Sequence, residues 1–534
     1  MGSKTIKGLL SAGVSAVLLW CAYPPVGLPF IVFVALVPLF ICSRRLKPLQ
    51  SALVWGLAGL AFSFANLSWF FTLRDYDVGW SYVFPGWCVG SIIRAFIFAL
   101  FGLLDAFIWK RGDRERAAYF KWVVLFLIEP FLWTGFEWVR SLVPGLEWNF
   151  LGTAICQMPL LSAPARWGGE IMLGSLAIMI NGAVVTCFEN VLNIKRIESK
   201  CGRISFSLFK ELFVAVVIVT SIFIVSKITK PVPETVTKKF VLVQRYAPLE
   251  EKMEELRKQG FDSLGYYKEL LKGCDLTGAD FVVLPESALK EFGEDVRAES
   301  AWNVAENLSS MADGASVIAG GESNTPSSRG RHIQTAAALY GFPRNQLDRD
   351  PSVYIKRNLV PFGEYNPLAK WFPSLRTASY YVEAPGTKTG VFRSKDIKLA
   401  PLLCFDCSSS EYVRNAAEMG AQAIVLISNN LWYAPSAEPM QHFWQAVARS
   451  AETGLPLVSV GNAGITGVVD LDGSVKILRD ESGSPLQCDS GVMVQNVNVP
   501  KKYQETFYVR FGCVPLAGMF ILSVISLIII KTWE

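Results

Sequence analysis

The chain has 534 residues, 51% of them hydrophobic and only 18% charged, with a mean hydropathy of +0.33. That balance excludes a disordered or fibrous chain and is too apolar for an ordinary soluble protein. The net charge of +5 does not mark a nucleic-acid partner: residues 1–230 hold 21 basic and 12 acidic side chains, while the rest hold 30 and 34. The positive charge therefore lies between apolar stretches, which is the signature of membrane topology.

Seven apolar runs precede residue 230, at about 6–22, 26–42, 51–72, 82–109, 119–140, 168–188 and 209–228, and an eighth covers about 511–530. Each approaches the roughly 20 residues that a spanning helix needs. Lys4 and Lys7 precede the first run. Arg44, Arg45 and Lys47 follow the second; Lys110, Arg111, Arg114, Arg116 and Lys121 follow the fourth; Lys195, Arg196, Lys200, Arg203 and Lys210 follow the sixth; Lys531 follows the last. The alternate loops carry only Arg74, Arg140, Arg166, Lys227 and Lys230, a bias of sixteen against five. Basic loops stay cytoplasmic, so both termini are expected in the cytoplasm and residues 231–508 on the far side. A cleaved signal peptide is the other reading of the first run, but Trp20 and Cys21 make a poor small-residue cleavage site.

Asn66, Arg94, Asp105, Glu129, Glu137, Glu170 and Asn181 fall inside these runs. Polar groups at that depth are costly and are expected to face the bundle interior, pairing helices. A guanidinium suits phosphate, so Arg94 is the one that also fits a lipid headgroup pocket.

After Pro231 and Pro233 the texture changes to short apolar strands: 240–244, 280–285, 315–320, 334–340, 397–404, 422–428, 455–460 and 465–471. Helical patterns at 250–273, 299–312, 408–419 and 438–453 lie between several of them. Continuous apolar strands alternating with helices indicate sheets covered by helices, an α/β domain. The expected organisation is a seven-helix bundle over 1–230, a domain over 231–508 and a last spanning helix over 509–534.

Three segments place reactive side chains near strand ends: VLPES with Glu286, YIKRNLVPFGEYNPL with Lys356 and Glu364, and APLLCFDCSSSE with Cys404. Singly, each has a bland alternative as a capping glutamate, a surface lysine or a small core cysteine. The pair Cys404 and Cys407 also fits a redox or half-zinc motif, though no second such pair exists and neither His332 nor His442 is near it in sequence. Any Cys–His chemistry must use one of those two histidines. Cys407 itself is expected on a helix face or in the core.

Together, LPES, K-x-x-LVPFGEY-x-PL and PLLC resemble the Glu–Lys–Cys triad of the nitrilase superfamily. With spans before the domain and one after it, the chain resembles the apolipoprotein N-acyltransferase family of bacterial inner membranes. The resemblance implies an αββα sandwich domain in the periplasm beside a polytopic helical bundle of about eight spans. It implies Cys404 as nucleophile, Glu286 as its base, Lys356 as oxyanion stabiliser and Glu364 as a supporting carboxylate. The acyl donor would be a phospholipid, the acceptor a diacylated apolipoprotein, with membrane lipids as surroundings. No cofactor, metal or nucleic acid is implied. The alternative is a membrane-bound nitrilase-type amidase using the same triad with water; a transporter is disfavoured because the spans show no repeat. Trp371, Phe372, Tyr380 and Trp432 are candidate acyl-chain contacts. Phe405 and Asp406 replace the family's aromatic hydroxyl and glutamate, and Asn430 replaces an aspartate in its Ser-Asn-Asp-x-Trp-Phe pattern.

Overall fold

The structure, a computed structural model, describes residues 3–76, 78–110, 117–143, 145–197, 209–246, 263–289, 295–327, 330–342, 350–367, 384–394 and 396–532. By contacts the chain divides into two compact units: residues 1–70, 83–230 and 511–534, and residues 71–82 with 231–510.

Among the described residues, five stretches are long and apolar enough to cross a bilayer: Pro48–Asp75, Tyr82–Lys110, Phe120–Ser141, Ala165–Leu192 and Lys210–Ile228. Three shorter apolar helices, Ile6–Cys21, Pro29–Ser43 and Val514–Ser526, occupy the remaining expected runs. The second run is not one continuous α-helix. It folds as a 3-10 turn, Pro29–Phe33, and a short helix, Val37–Ser43. Pro29 and Pro38 stand at the starts of these pieces, where a missing N–H costs least. The break is closed from another helix: Asn181 Oδ1 accepts the Leu36 N–H at 2.8 Å and its Nδ2 donates to the Val32 carbonyl at 2.9 Å.

The other intramembrane polar residues are all buried. Glu137 accepts the N–H of Leu151, Glu170 the hydroxyl of Thr153, and Glu129 the indole N–H of Trp109. Arg94 donates to the carbonyls of Trp148 and Asn149 at 2.6 and 3.2 Å, so its guanidinium caps an irregular turn inside the bundle. Backbone groups freed by breaks in apolar surroundings must be bonded by something; Asn181, Glu137 and Arg94 serve such groups, while Glu170 and Glu129 bond other side chains.

Among the described residues the second unit holds two six-stranded sheets. The first runs β12-β1-β2-β3-β4-β5 and the second β11-β10-β9-β8-β7-β6. Their strands are β1 (Thr235–Gln244), β2 (Phe281–Val283), β3 (Ser316–Ser327), β4 (Gly330–Tyr340), β5 (Ser352–Ile355) and β6 (Phe392–Ser394), then β7 (Ile397–Leu403), β8 (Ala423–Asn429), β9 (Leu457–Asn462), β10 (Gly467–Val469), β11 (Val475–Ile477) and β12 (Gly491–Pro500). β1, β2 and β3 pair in parallel, as do β7, β8 and β9. These strands read as unbroken apolar runs because both faces are covered. One core, with Phe240, Phe281, Leu403, Ile427 and Val460, lies between the sheets. A second core packs β1 to β4 on helices Ser263–Leu271 and Glu299–Met311, and a third packs β7 to β9 on Ser410–Glu418 and Glu438–Thr453. This is the αββα layering expected from sequence. The expected helix 250–273 is described only over Ser263–Leu271.

One glycine fixes where β2 delivers its last residues. A Cβ on Gly320 of β3 would sit 2.5 Å from the Glu286 Cα, well inside contact distance. Gly320→Ala should therefore push Glu286 out of place and, as an overpacked site, cost about 1–3 kcal/mol. The expected outcome is a lower Tm of the detergent-solubilised chain together with loss of activity. An alanine variant with unchanged Tm and activity would show that this close approach is not needed.

Candidate active site

Parallel strands present their carboxyl ends at one edge of a sheet, and loops leaving that edge build ligand crevices. Here β2 leads to Glu286, β5 to Lys356, β7 to Cys404 and β8 to Asn429. Lys356 is held at its backbone, its N–H donating to the Thr335 carbonyl and its own carbonyl accepting from Gly386. Its side chain is 1% exposed.

Such an ammonium needs partners, since an isolated buried charge is severely penalised. It has two. Lys356 Nζ lies 3.3 Å from Glu286 Oε1 and 2.5 Å from Glu364 Oε1. Each carboxylate is fixed by its second oxygen: Glu286 Oε2 accepts the Asn429 N–H at 2.8 Å, and Glu364 Oε2 accepts the Val360 N–H at 2.9 Å. The tight LVPFGEY turn makes the second contact possible, with Phe362 at φ 61°.

Cys404 opens a 3-10 turn, Cys404–Ser408, directly after β7. Its φ is 45°, a left-handed conformation that a non-glycine residue keeps only where its surroundings enforce it. The thiol is partly buried. Removal from water pushes its pKa well above the ordinary value, and the Glu286 carboxylate pushes it further, while the Lys356 ammonium opposes them. A thiol in this setting rests protonated and needs a base at the moment of attack.

The structure thus brings together the expected Glu286, Lys356, Glu364 and Cys404. Trp432 lies on the short turn Leu431–Tyr433, 41% exposed, and its carbonyl accepts the Thr72 hydroxyl at 3.1 Å. Trp371, Phe372 and Tyr380 lie outside the described residues. Cys407 is fully buried in the core between β7 and the helices, as expected.

Asp406 stood in the sequence only as a departure, yet it ties the Cys404 turn to the segment that follows β5. Its Oδ1 accepts the N–H groups of Arg357 and Asn358 at 3.0 and 2.7 Å. Its Oδ2 accepts the Leu403 N–H at 3.1 Å and the Tyr354 hydroxyl at 2.9 Å. A carboxylate two residues past a candidate nucleophile was the available signal. His442 was also missed: 38 residues away in sequence, its Nε2 lies 3.0 Å from the Cys404 carbonyl oxygen.

Residues 259–484 match the carbon-nitrogen hydrolase family and residues 15–183 match the apolipoprotein N-acyltransferase N-terminal domain. The apolipoprotein N-acyltransferase of Geobacter metallireducens is 26% identical over 95% of this chain and 92% of that protein. That of Rickettsia typhi is 28% identical over 72% of each. Among solved structures, a Saccharomyces cerevisiae member of branch 10 of the nitrilase superfamily aligns over 52% of this chain and 95% of its own, with 16% identity and a TM-score of 0.33. The α/β domain is of the carbon-nitrogen hydrolase class. Carrying that domain together with the matched N-terminal region, the chain belongs to the apolipoprotein N-acyltransferase family.

The charge around the thiol has a measurable consequence. Peptide-resolved alkylation of Cys404 by iodoacetamide should be slow at pH 7 and still climbing beyond pH 9. Glu286→Gln removes the anion that raises the thiol and leaves Lys356 to lower it, so the alkylation midpoint should move down in pH. An unchanged or higher midpoint would contradict the assigned electrostatics.

Proposed function

We propose that this chain transfers a fatty acyl group from a phospholipid to the α-amine of a diacylglyceryl-cysteine on a lipoprotein, through a thioester on Cys404. The observation that carries the reading is the buried Lys356 clamped by Glu286 and Glu364 at the strand end beside the Cys404 turn. Family membership and the apolar helices support lipid substrates for it.

In the first half-reaction Glu286 takes the thiol proton as sulfur attacks the ester carbonyl. The developing oxyanion is met by the Lys356 ammonium and by backbone N–H groups at the Cys404–Phe405 turn. Collapse expels the glycerol oxygen, which leaves as lysophospholipid with the proton returned by Glu286. In the second, the lipoprotein amine attacks the thioester, Glu286 accepts its proton, and the thiol is regenerated. Glu364, bonded to the same ammonium, orients Lys356 through both cycles. The bias of basic loops supports a cytoplasmic N-terminus, a bundle over 1–230, a periplasmic domain over 231–508 in the inner membrane and a final span over 509–534.

Incubation with phospholipid alone tests this. A fatty-acyl adduct is expected on the Cys404 peptide by mass spectrometry, absent in Cys404→Ala and discharged by a diacylated lipopeptide with a free amine. Lys356→Ala should slow adduct formation by about 10²–10³-fold, as loss of an oxyanion donor does. An adduct cleared as fast by water as by the lipopeptide would favour the amidase-type hydrolase. No adduct, with Cys404→Ala fully active, would falsify the thioester.

A further inference from the structure

His442 sits 3% exposed on helix Glu438–Thr453. Its Nε2 lies 3.0 Å from the Cys404 carbonyl oxygen. A carbonyl only accepts, so Nε2 carries the proton and Nδ1 is left as an acceptor. What faces Nδ1 is the side-chain nitrogen of Asn430, at 3.4 Å. The orientation of that amide is set on both sides. Its Oδ1 accepts the Ser428 hydroxyl at 2.7 Å, and its Nδ2 lies 3.0 and 3.3 Å from the two Glu438 oxygens. An amide nitrogen has two N–H groups, one for Glu438 and one for the imidazole.

We propose that Asn430 and Glu438 fix His442 in its Nε2–H tautomer, and that His442, by donating to the Cys404 carbonyl, holds the nucleophile in its left-handed turn. The inference rests on the reading of Cys404 as the nucleophile. It assigns the histidine a positioning role and not that of a base in a Cys–His pair. Three observations support it. The imidazole is bonded to the cysteine's backbone carbonyl. The turn it holds has a φ of 45°, which needs an external hold. Burial, reinforced by the Lys356 charge, lowers the His442 pKa to about 4, leaving the ring neutral at physiological pH. Glu438 is buried as well; removal from water raises its pKa to about 8, opposed by its bond from Asn430, and in either protonation state a carboxyl oxygen remains to accept that N–H.

The test uses the full chain in detergent and compares His442→Gln, which keeps a donor nitrogen at similar reach, with His442→Leu, which does not. Two rates are read: iodoacetamide alkylation of Cys404, and acyl-adduct formation from phosphatidylethanolamine with phosphatidylglycerol. His442→Leu should lose about 10²-fold in adduct formation, the usual cost of misplacing a reacting group by about 1 Å, with half-saturating phospholipid unchanged. Its Cys404 alkylation should also slow. His442→Gln should recover most of both rates. Equal losses in the two variants, or a wild-type rate in His442→Leu, overturn the relay. If Tm shows that His442→Leu does not fold, Asn430→Ala takes its place; a slower alkylation and adduct rate is expected, and full rates there overturn the proposal. Alkylation does not depend on acyl transfer. A variant effect on alkylation with no adduct in any protein would therefore reject the transferase reading while supporting the relay.

Discussion

A single ammonium without access to water organises the catalytic domain. Lys356 is 1% exposed and touches two carboxylates from different loops. Removing the ammonium would leave the buried Glu286 carboxylate uncompensated, at a cost of about 3–5 kcal/mol. The loops after β2 and β5 and the LVPFGEY turn therefore have little freedom to part. Each carboxylate spends its second oxygen on a backbone N–H, Asn429 for Glu286 and Val360 for Glu364. The charges are thus pinned to β8 and to the turn before any substrate arrives, which is the preorganisation that stabilising an oxyanion requires.

Around this cluster the backbone is held in conformations that non-glycine residues rarely adopt. Ser287, Phe362, Cys404 and Ala463 all have positive φ, at 59°, 61°, 45° and 53°. Two follow or belong to the glutamate segments, one is the proposed nucleophile, and Ala463 follows β9 with its N–H on the Arg245 carbonyl. Strain of this kind gathers where function demands a side chain at a particular point. Asp406 answers for part of it, since its two oxygens collect four hydrogen bonds that join the Cys404 turn to the start of the Lys356 loop.

The helical unit solves a different problem with the same chemistry. At three breaks in the apolar helices a buried polar side chain takes over stranded backbone groups. Asn181 serves the break before Val37, Glu137 the N–H of Leu151, and Arg94 the carbonyls of Trp148 and Asn149. Reading those residues as helix pairing identified their burial but not their partners. Irregular backbone at membrane depth cannot be located from hydropathy, which averages over a window and does not register a single missing hydrogen bond.

Much was legible in the sequence by itself: the apolar runs, the change to α/β texture at Pro231, the strands β1 to β4 and β7 to β10, and the three segments that supply Glu286, Lys356 with Glu364, and Cys404. Periodicity and length carry that information because burial on both faces imposes continuous apolar composition. The edge strands β5, β6, β11 and β12 were not foreseen; three are short, and β12 is only partly buried, with Gln495 and Asn496 in its middle. Only the tertiary structure decided that Asp406, Asn430, Glu438 and His442 surround the Cys404 turn. Their contacts join residues of a loop, a helix and two strand ends, and hydrogen bonds between such elements follow from how sheets stack, which no local spacing encodes.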